Sequence, residues 1–277
     1  MSVTPLIGPV EAPDLHVVSY NIRRRFTGPL VRPADRWRLR RPRLTALLQA
    51  ERPTLLGAQE AMPDQAAAVR DALGPRYRFV GHGRDANGRG EGCPLFFDGE
   101  RLELLDWRQT ALSTQPDVPG SRSWGAMLPR VLVTASFRDR ATDVRFIALN
   151  THLDVFSPRA RAAGARHIRE LVEDQELPAI VTGDFNARPG SAPLLELFGG
   201  DDLVDAWDAA AERETPEWDT YAGYRRPHVR RGRIDWIGVS PDVRVLRAAI
   251  DPRRVGGGWP SDHLPVHAVV RMGGRGA

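Results

Sequence analysis

The chain contains no lysine; all 39 of its basic residues are arginine. A lysine Schiff base, a lysine nucleophile and a lysine general base are therefore excluded. Any cationic side chain that meets a phosphate must be arginine, which presents a rigid, planar fork of donors. Cysteine is nearly absent as well. Cys93 stands alone, so neither an intrachain disulfide nor a thiolate metal cluster can form. No apolar run approaches the ~18 residues of a membrane helix. The first sixteen residues, MSVTPLIGPVEAPDLH, lack a basic stretch followed by a long apolar one, so a cytoplasmic protein is expected. Net charge is only +4. That balance permits an anionic substrate without requiring one.

What is present suits a packed protein. Apolar residues make up 42% of the 277, enough to exclude wholesale disorder. No Ser/Gly linker, low-complexity tract or short repeat divides the chain. The expected organisation is one catalytic domain over 14–271, with a flexible extension at 1–13 and a loose tail at 272–277. A monomer without an obligate protein partner is expected. Short β-branched runs bounded by Gly, Pro, Asp or Asn predict strands at 15–22, 54–59, 77–81, 94–97, 102–107, 130–137, 144–151, 179–185, 234–239, 243–250 and 264–271. Helical patterns are fewer, at 43–51, 64–74, 157–174 and 191–199. Strands outnumber helices and both occur in each half, which implies an α/β or α+β domain of large sheet area.

Polar residues able to do chemistry gather at the ends of these strands. Asn21 follows HVVSY, Glu60 follows LLGAQ, and His152 and Asp154 follow FIALNT. Asp184 and Asn186 sit in AIVTGDFNA, Asp235 opens IDWIGV, and Asp262 and His263 precede LPVHAVV. A single aspartate at a strand end is usually a turn former. Six such sites in one chain, with carboxylates, amides and histidines but no thiol, suit a hard cation such as Mg²⁺ or Mn²⁺. Carboxylate with histidine also suits the activation of water against a phosphoester.

The motifs SYNIR (19–23), GAQE (57–60), NTHLD (150–154), TGDFNA (182–187), GRIDWI (232–237) and SDHLPV (261–266) occur in this order along nearly the whole chain. In this the sequence resembles the endonuclease/exonuclease/phosphatase superfamily of divalent-metal hydrolases. The resemblance implies a four-layer sandwich of two packed mixed β-sheets flanked by helices. It implies Glu60 as the principal metal ligand, with Asn21 beside it and Asp262 as a second carboxylate at the metal. Asp184 and Asn186 would orient or deprotonate the attacking water. His263 would contact the scissile phosphate or act as base, with Asp235 fixing its tautomer, and His152 would donate to a phosphate oxygen. Between Asp184 and His263 the resemblance does not choose the base.

One position departs from the pattern. Several nucleases of the superfamily carry an acidic residue two after the asparagine, where this chain has Arg23. Stretches 81–98, 112–125 and 129–137 are similar to a bacterial branch related to the deadenylase-like members, and on that likeness Glu91 and Arg130 would face the cleft. Trp259, after three glycines, would either stack on substrate or pack on its own loop. Arginines cluster at 23–25, 36–43 and 225–233, near Trp37, Tyr221, Tyr224 and Trp236. They read either as a phosphate track or as a solvated surface in a lysine-free protein. The expected activity is metal-dependent phosphoester hydrolysis by in-line attack of water. A phosphodiesterase or nuclease acting on nucleic acid or a nucleotide comes first, and a phosphomonoesterase of a small phosphorylated metabolite second. A phospholipid head group is a third substrate class, and a catalytically silent binding protein is the remote alternative.

Overall fold

The computed structural model of the protein describes residues 3–26, 28 and 30–273. Part of the expected tail, 274–277, lies outside the described residues. Among those described, the strands are β1 (Asp14–Asn21), β2 (Leu55–Gln59), β3 (Tyr77–Val80), β4 (Leu95–Asp98), β5 (Leu102–Ala111), β6 (Val131–Asp139), β7 (Arg145–His152), β8 (Ala179–Asp184), β9 (Val204–Asp205), β10 (Glu212–Arg213), β11 (Asp235–Val239), β12 (Val243–Ile250) and β13 (Val266–Met272). The helices are α1 (Trp37–Glu51), α2 (Pro63–Leu73), α3 (Pro158–Glu173), α4 (Ala192–Phe198) and the single turn α5 (Ala206–Ala209). One sheet runs β10-β12-β13-β1-β2-β4-β3 and the other β5-β6-β7-β8-β11-β9.

Three clusters show the layering. Leu15, Val17, Leu55, Phe137, Ala148, Ile180 and Ile237 pack between the sheets. Val18, Leu56 and Phe96, on the opposite face of the first sheet, pack against Leu44, Leu47 and Leu48 of α1 and Val69 of α2. Ile147, Leu149 and Val181, on the opposite face of the second, pack against Ile168 of α3 and Leu197 of α4. The protein is therefore an α/β/β/α sandwich, as the resemblance implied. Strands buried on both faces read as unbroken apolar runs, which is why LHVVSYN shows no alternation.

Topology brings the motifs to one edge. β1 and β2 are parallel, as are β7 and β8, so Asn21, the residue after β2, His152 and Asp184 finish on the same side. β11 runs antiparallel to β8 and β13 antiparallel to β1, so their beginnings lie on that side too. Motif residues just short of the edge lock the sheets together. Gln59 Nε2 donates to Asn150 Oδ1 at 2.8 Å, and Gly183 N donates to Ser19 Oγ at 3.0 Å. Gly57 is required there: a Cβ would collide with the Thr182 side chain and lie 2.8 Å from Asn150 Oδ1.

Within the segment expected to be a flexible extension, the amides of Leu6, Ile7 and Gly8 donate to the carboxylate of Glu51. Glu51 also meets Arg253 at 2.9 Å. Close by, His16 Nε2 and His267 Nδ1 are 3.0 Å apart, and both rings are fully buried. Burial, then its neighbour His267, push His16 down to about 3. Burial also lowers His267, against the pull of Glu51 and Asp251. The unfolded chain therefore takes up protons near the ordinary histidine value of 6.5 that the folded chain refuses. Stability is complete above that pH and falls as pH drops toward 3. His16 alone is expected to cost about 2 kcal/mol between pH 6.5 and 5. Thermal melting across that range should show a steeper decline for the native protein than for His16→Asn, and identical slopes would refute this.

Candidate active site

Asn21 is the hub of the edge cluster. Its Nδ2 donates to Glu60 Oε1 at 3.0 Å and to Asp184 Oδ2 at 2.9 Å, while its Oδ1 accepts the Arg23 amide. Glu60 follows β2 with φ at +58°, a left-handed turn that a non-glycine residue adopts only when its surroundings enforce it. That turn aims its carboxylate back at Asn21, and its Oε2 accepts the Arg24 amide at 3.0 Å. Asp184 ends β8 and accepts the Asn186 amide on Oδ1 at 3.0 Å. Asn186, also at positive φ, donates its side-chain amide to His152 Nε2 at 2.9 Å. His263 Nδ1 lies 2.9 Å from Asp235 Oδ2, and Ser261 Oγ ties the loop back to Asn21 O at 2.7 Å. With Asn21 Nδ2 also 3.5 Å from His263 Nε2, the residues Asn21, Glu60, Asp184, Asn186, His152, Asp235 and His263 form one continuous network, buried except for the half-buried Asn186.

The network is crowded with charge. Burial and the facing Asp235 push Asp184 up to about 7. Burial works against a charge on His263, but Asp235 and Asp184 outweigh it and hold the imidazole well above its ordinary value. His152 goes the other way: burial and the cation Arg130 hold it well below, so it is neutral and its Nε2 accepts from Asn186. Glu60 is lowered despite burial, through the Arg24 amide and the Asn21 side chain.

The donor set fits a hard cation. Glu60, Asn21 and Asp262 offer oxygens and no sulfur, as such an ion prefers. The position between the two carboxylates already favours positive charge. The Arg23 guanidinium meets Asp262 Oδ2 at 3.4 Å and Asp35 Oδ1 at 3.3 Å, both through Nε, and Glu60 Oε2 at 4.0 Å through Nη1. Deeper in, Asp235 Oδ1 is buried without a partner. Asp184, Asp235 and His263 present ligand atoms within 4.8 Å of one another.

Glu60, His152, Asp184, Asn186 and His263 of the network line a cavity of about 450 Å³, whose lining also includes Arg23, Glu91 and Arg130. Arg24, from the arginine cluster at 23–25, is also in the lining, as are Arg84 and Phe156, which the sequence alone does not single out. Arg84 lies in the stretch 81–98 that resembles the bacterial branch, in the run Gly83-Arg84-Asp85, which is a usable signal. Phe156 is 61% exposed and carries no local signal. Tyr221, 56% exposed, sets its ring against His263 with centroids 5.1 Å apart. Trp259 does not reach this cavity. It packs on the core between the sheets, with the Arg254 guanidinium 4.8 Å over its ring.

The arginine clusters do not act as one track. Arg233 is buried against Trp236 at 3.9 Å and pairs with Asp205 and Glu217. Trp236 is itself a core residue of the outer layer. Arg40 is wholly buried. It donates to the carbonyls of Ile22, Arg23, Arg24, Asp35 and Pro260, so one guanidinium joins the Asn21 loop to the Asp262 loop. Arg40→Met would leave these carbonyls without a donor. The expected cost is about 3–5 kcal/mol of stability, with a loss of activity alongside. Denaturant unfolding tests this, and a change under 1 kcal/mol, on the order of an exposed arginine, would contradict it.

The model of the Endonuclease/Exonuclease/phosphatase family matches residues 18–263. Protein angel of Drosophila melanogaster is 27% identical over 178 residues, 61% of this chain and 49% of that protein. The chain thus spans about half the length of that curated relative. A mannosyl-6-phosphatase of Bacteroides thetaiotaomicron superposes with a TM-score of 0.86 at 28% identity, covering 93% of this chain and 100% of that one. An endonuclease/exonuclease/phosphatase from Bacteroides vulgatus superposes at 0.84 with 32% identity, over 94% and 99% of the two chains.

Proposed function

Because the chain belongs to the endonuclease/exonuclease/phosphatase family, we propose that it hydrolyses small phosphate monoesters with a bound Mg²⁺ or Mn²⁺ ion. The supporting observation is the junction of Asn21, Glu60, Asp184 and His263, the last three of which line one cavity together with Arg84, Glu91 and Arg130. A space of about 450 Å³ is of the size that takes a metabolite. The likeness to a mannosyl-6-phosphatase supports the same substrate class.

Glu60, Asn21 and Asp262 would hold the ion, which supplies positive charge to the phosphoryl oxygens. The chain's own groups do the rest. Asp184, fixed by Asn21 and Asn186, accepts a proton from water as the water attacks phosphorus opposite the leaving oxygen. His263, its Nδ1–H given to Asp235, presents Nε2 to a phosphoryl oxygen as a charged donor. Neutral His152, its Nε2 accepting from the Asn186 side chain, holds that amide beside Asp184. The P–O ester bond breaks, the leaving oxygen takes a proton from solvent, Asp184 returns its proton to solvent, and inorganic phosphate remains.

A diesterase reading has one observation in its favour. Phe26, Phe156 and Tyr221 line the cavity, and aromatic rings can stack on bases. Phosphate release from sugar and nucleotide monoesters, set against bis-p-nitrophenyl phosphate and oligonucleotides in Mg²⁺, Mn²⁺ and EDTA, separates the two. Metal-dependent turnover at least about 100-fold faster on monoesters supports the proposal, being some 2.7 kcal/mol of transition-state discrimination. Faster diester cleavage replaces it with the second reading.

A further inference from the structure

Arg130 precedes β6 on the side of the sheet where the motifs gather, and the pairing of Leu132 with Thr151 sets it beside His152. Its side chain is 6% exposed, yet Nε and Nη1 have no hydrogen-bond partner. The nearest carboxylate, Asp154, stands 3.5 Å from Nε. Only Oδ1 of Asp154 is committed, to the amides of Phe156 and Ser157; Oδ2 is the oxygen facing Arg130, too far for a hydrogen bond, so it balances the charge of Arg130 but leaves its N–H donors unspent. A desolvated guanidinium without hydrogen bonds costs several kcal/mol. A cavity wall is where such a cost has a use, because the unspent donors are a receptor for an anion.

Its neighbours strengthen that reading. Arg84 is 7% exposed and pairs with Glu91 at 2.5 Å, and Arg24 reaches the other oxygen of Glu91 at 3.2 Å. One carboxylate is thus shared by two guanidiniums, with Arg130 beside them on the same wall. Burial, and after the Glu91 pairing the charge of Arg130, bear on Arg84 and leave its pKa below the usual value, so the two cations are close enough to repel.

The reacting phosphate has a different seat. It belongs to the Asn21, Glu60, Asp184 and His263 network, with which Arg130 shares no hydrogen bond. His152 stands between, 3.5 Å from Asp184 on one side and under the charge of Arg130 on the other. We propose that Arg130, with Arg84 beside it, holds a second anionic group of the substrate, a phosphate or carboxylate that is not hydrolysed. The protein then selects small phosphate esters bearing two anionic groups. This rests on the reading of the cavity as a phosphoester site.

The test uses two matched pairs: fructose 6-phosphate against fructose 1,6-bisphosphate, and AMP against adenosine 3′,5′-bisphosphate. The native protein should favour the bisphosphate of each pair by about 10- to 100-fold in kcat/KM, carried mainly by KM, as expected for charge-assisted bonds. Arg130→Gln should bring that ratio to about one. Arg84→Gln should cut the same ratio, and decides the matter if Arg130→Gln does not fold. A native ratio near one overturns the proposal. So does an equal loss of kcat on both members of a pair in Arg130→Gln, since Arg130 would then serve the reacting phosphate. If none of the four compounds is hydrolysed, the function proposed above fails, and calorimetry in EDTA still judges the subsite. Adenosine 3′,5′-bisphosphate should bind at least about tenfold tighter than AMP, by an advantage lost in Arg130→Gln, and equal binding overturns it.

Discussion

Asp184→Asn is expected to lower kcat for phosphate-ester hydrolysis by about 10³-fold or more, while the melting temperature stays within a few degrees. The substitution keeps the shape of the side chain and the Asn186 amide bond to Oδ1. It removes the oxygen that faces Asn21 Nδ2 and His152 Nε2, the one placed to accept a proton. Two opposed effects govern stability. An amide donor set against the Asn21 donor forfeits one hydrogen bond, about 1 kcal/mol. Relief of the repulsion between Asp184 and Asp235, both buried, offsets it. The kinetic loss should fall on kcat rather than KM, because the proton transfer exists only in the transition state. Steady-state kinetics with a melting curve decides the matter. A loss below about tenfold would mean that Asp184 does not accept the proton, and His263 would then be the group to examine.

How much of this site was legible beforehand depended on the range of each interaction. Asn21, Glu60, Asp184 and His263 each sit in a short motif at a strand end, and parallel pairing of β1 with β2 and of β7 with β8 carries all such ends to one edge. The strands themselves were readable because burial on both faces leaves unbroken apolar runs. Arg40 was not readable. Its partners lie up to 220 residues away, and among four neighbouring arginines in 36–43 nothing local marks it as the buried one. The same bond pattern explains why α1 starts at Trp37, six residues before the predicted helix, and tolerates Pro42 inside it. Tertiary anchoring by Arg40 overrides the helix-breaking tendency of proline. Ser19, Gln59 and Asn150 lie inside the same motifs and serve as inter-sheet bolts. Trp259 has an open glycine run before it and still folds onto the core, because its large ring gains more from burial than from solvent.

Glu60→Gln is the second large effect, and it separates ion binding from proton transfer. The glutamine keeps the size of the side chain but carries one acceptor where Glu60 has two. Oε1 now accepts from Asn21 and Oε2 from the Arg24 amide, so the new NH₂ group must face one of these donors. One of the three carboxylates around Arg23 also disappears, leaving Asp262 and Asp35, of which only Asp262 belongs to the proposed ion site. The apparent affinity for Mg²⁺ or Mn²⁺ is therefore expected to fall by at least about 100-fold, beyond the usual effect of losing a residue that only supports a ligand. Activity should recover partly as Mn²⁺ is raised, whereas Asp184→Asn should not respond to added metal. Calorimetric titration of the ion into each protein supplies a reading independent of turnover. Unchanged metal affinity in Glu60→Gln would move the ion away from Glu60 and toward Asp184, Asp235 and His263, whose ligand atoms lie within 4.8 Å of one another. Rescue of both variants by metal would give the two carboxylates a shared duty at the ion, and the proton acceptor would then have to be found among the remaining members of the network.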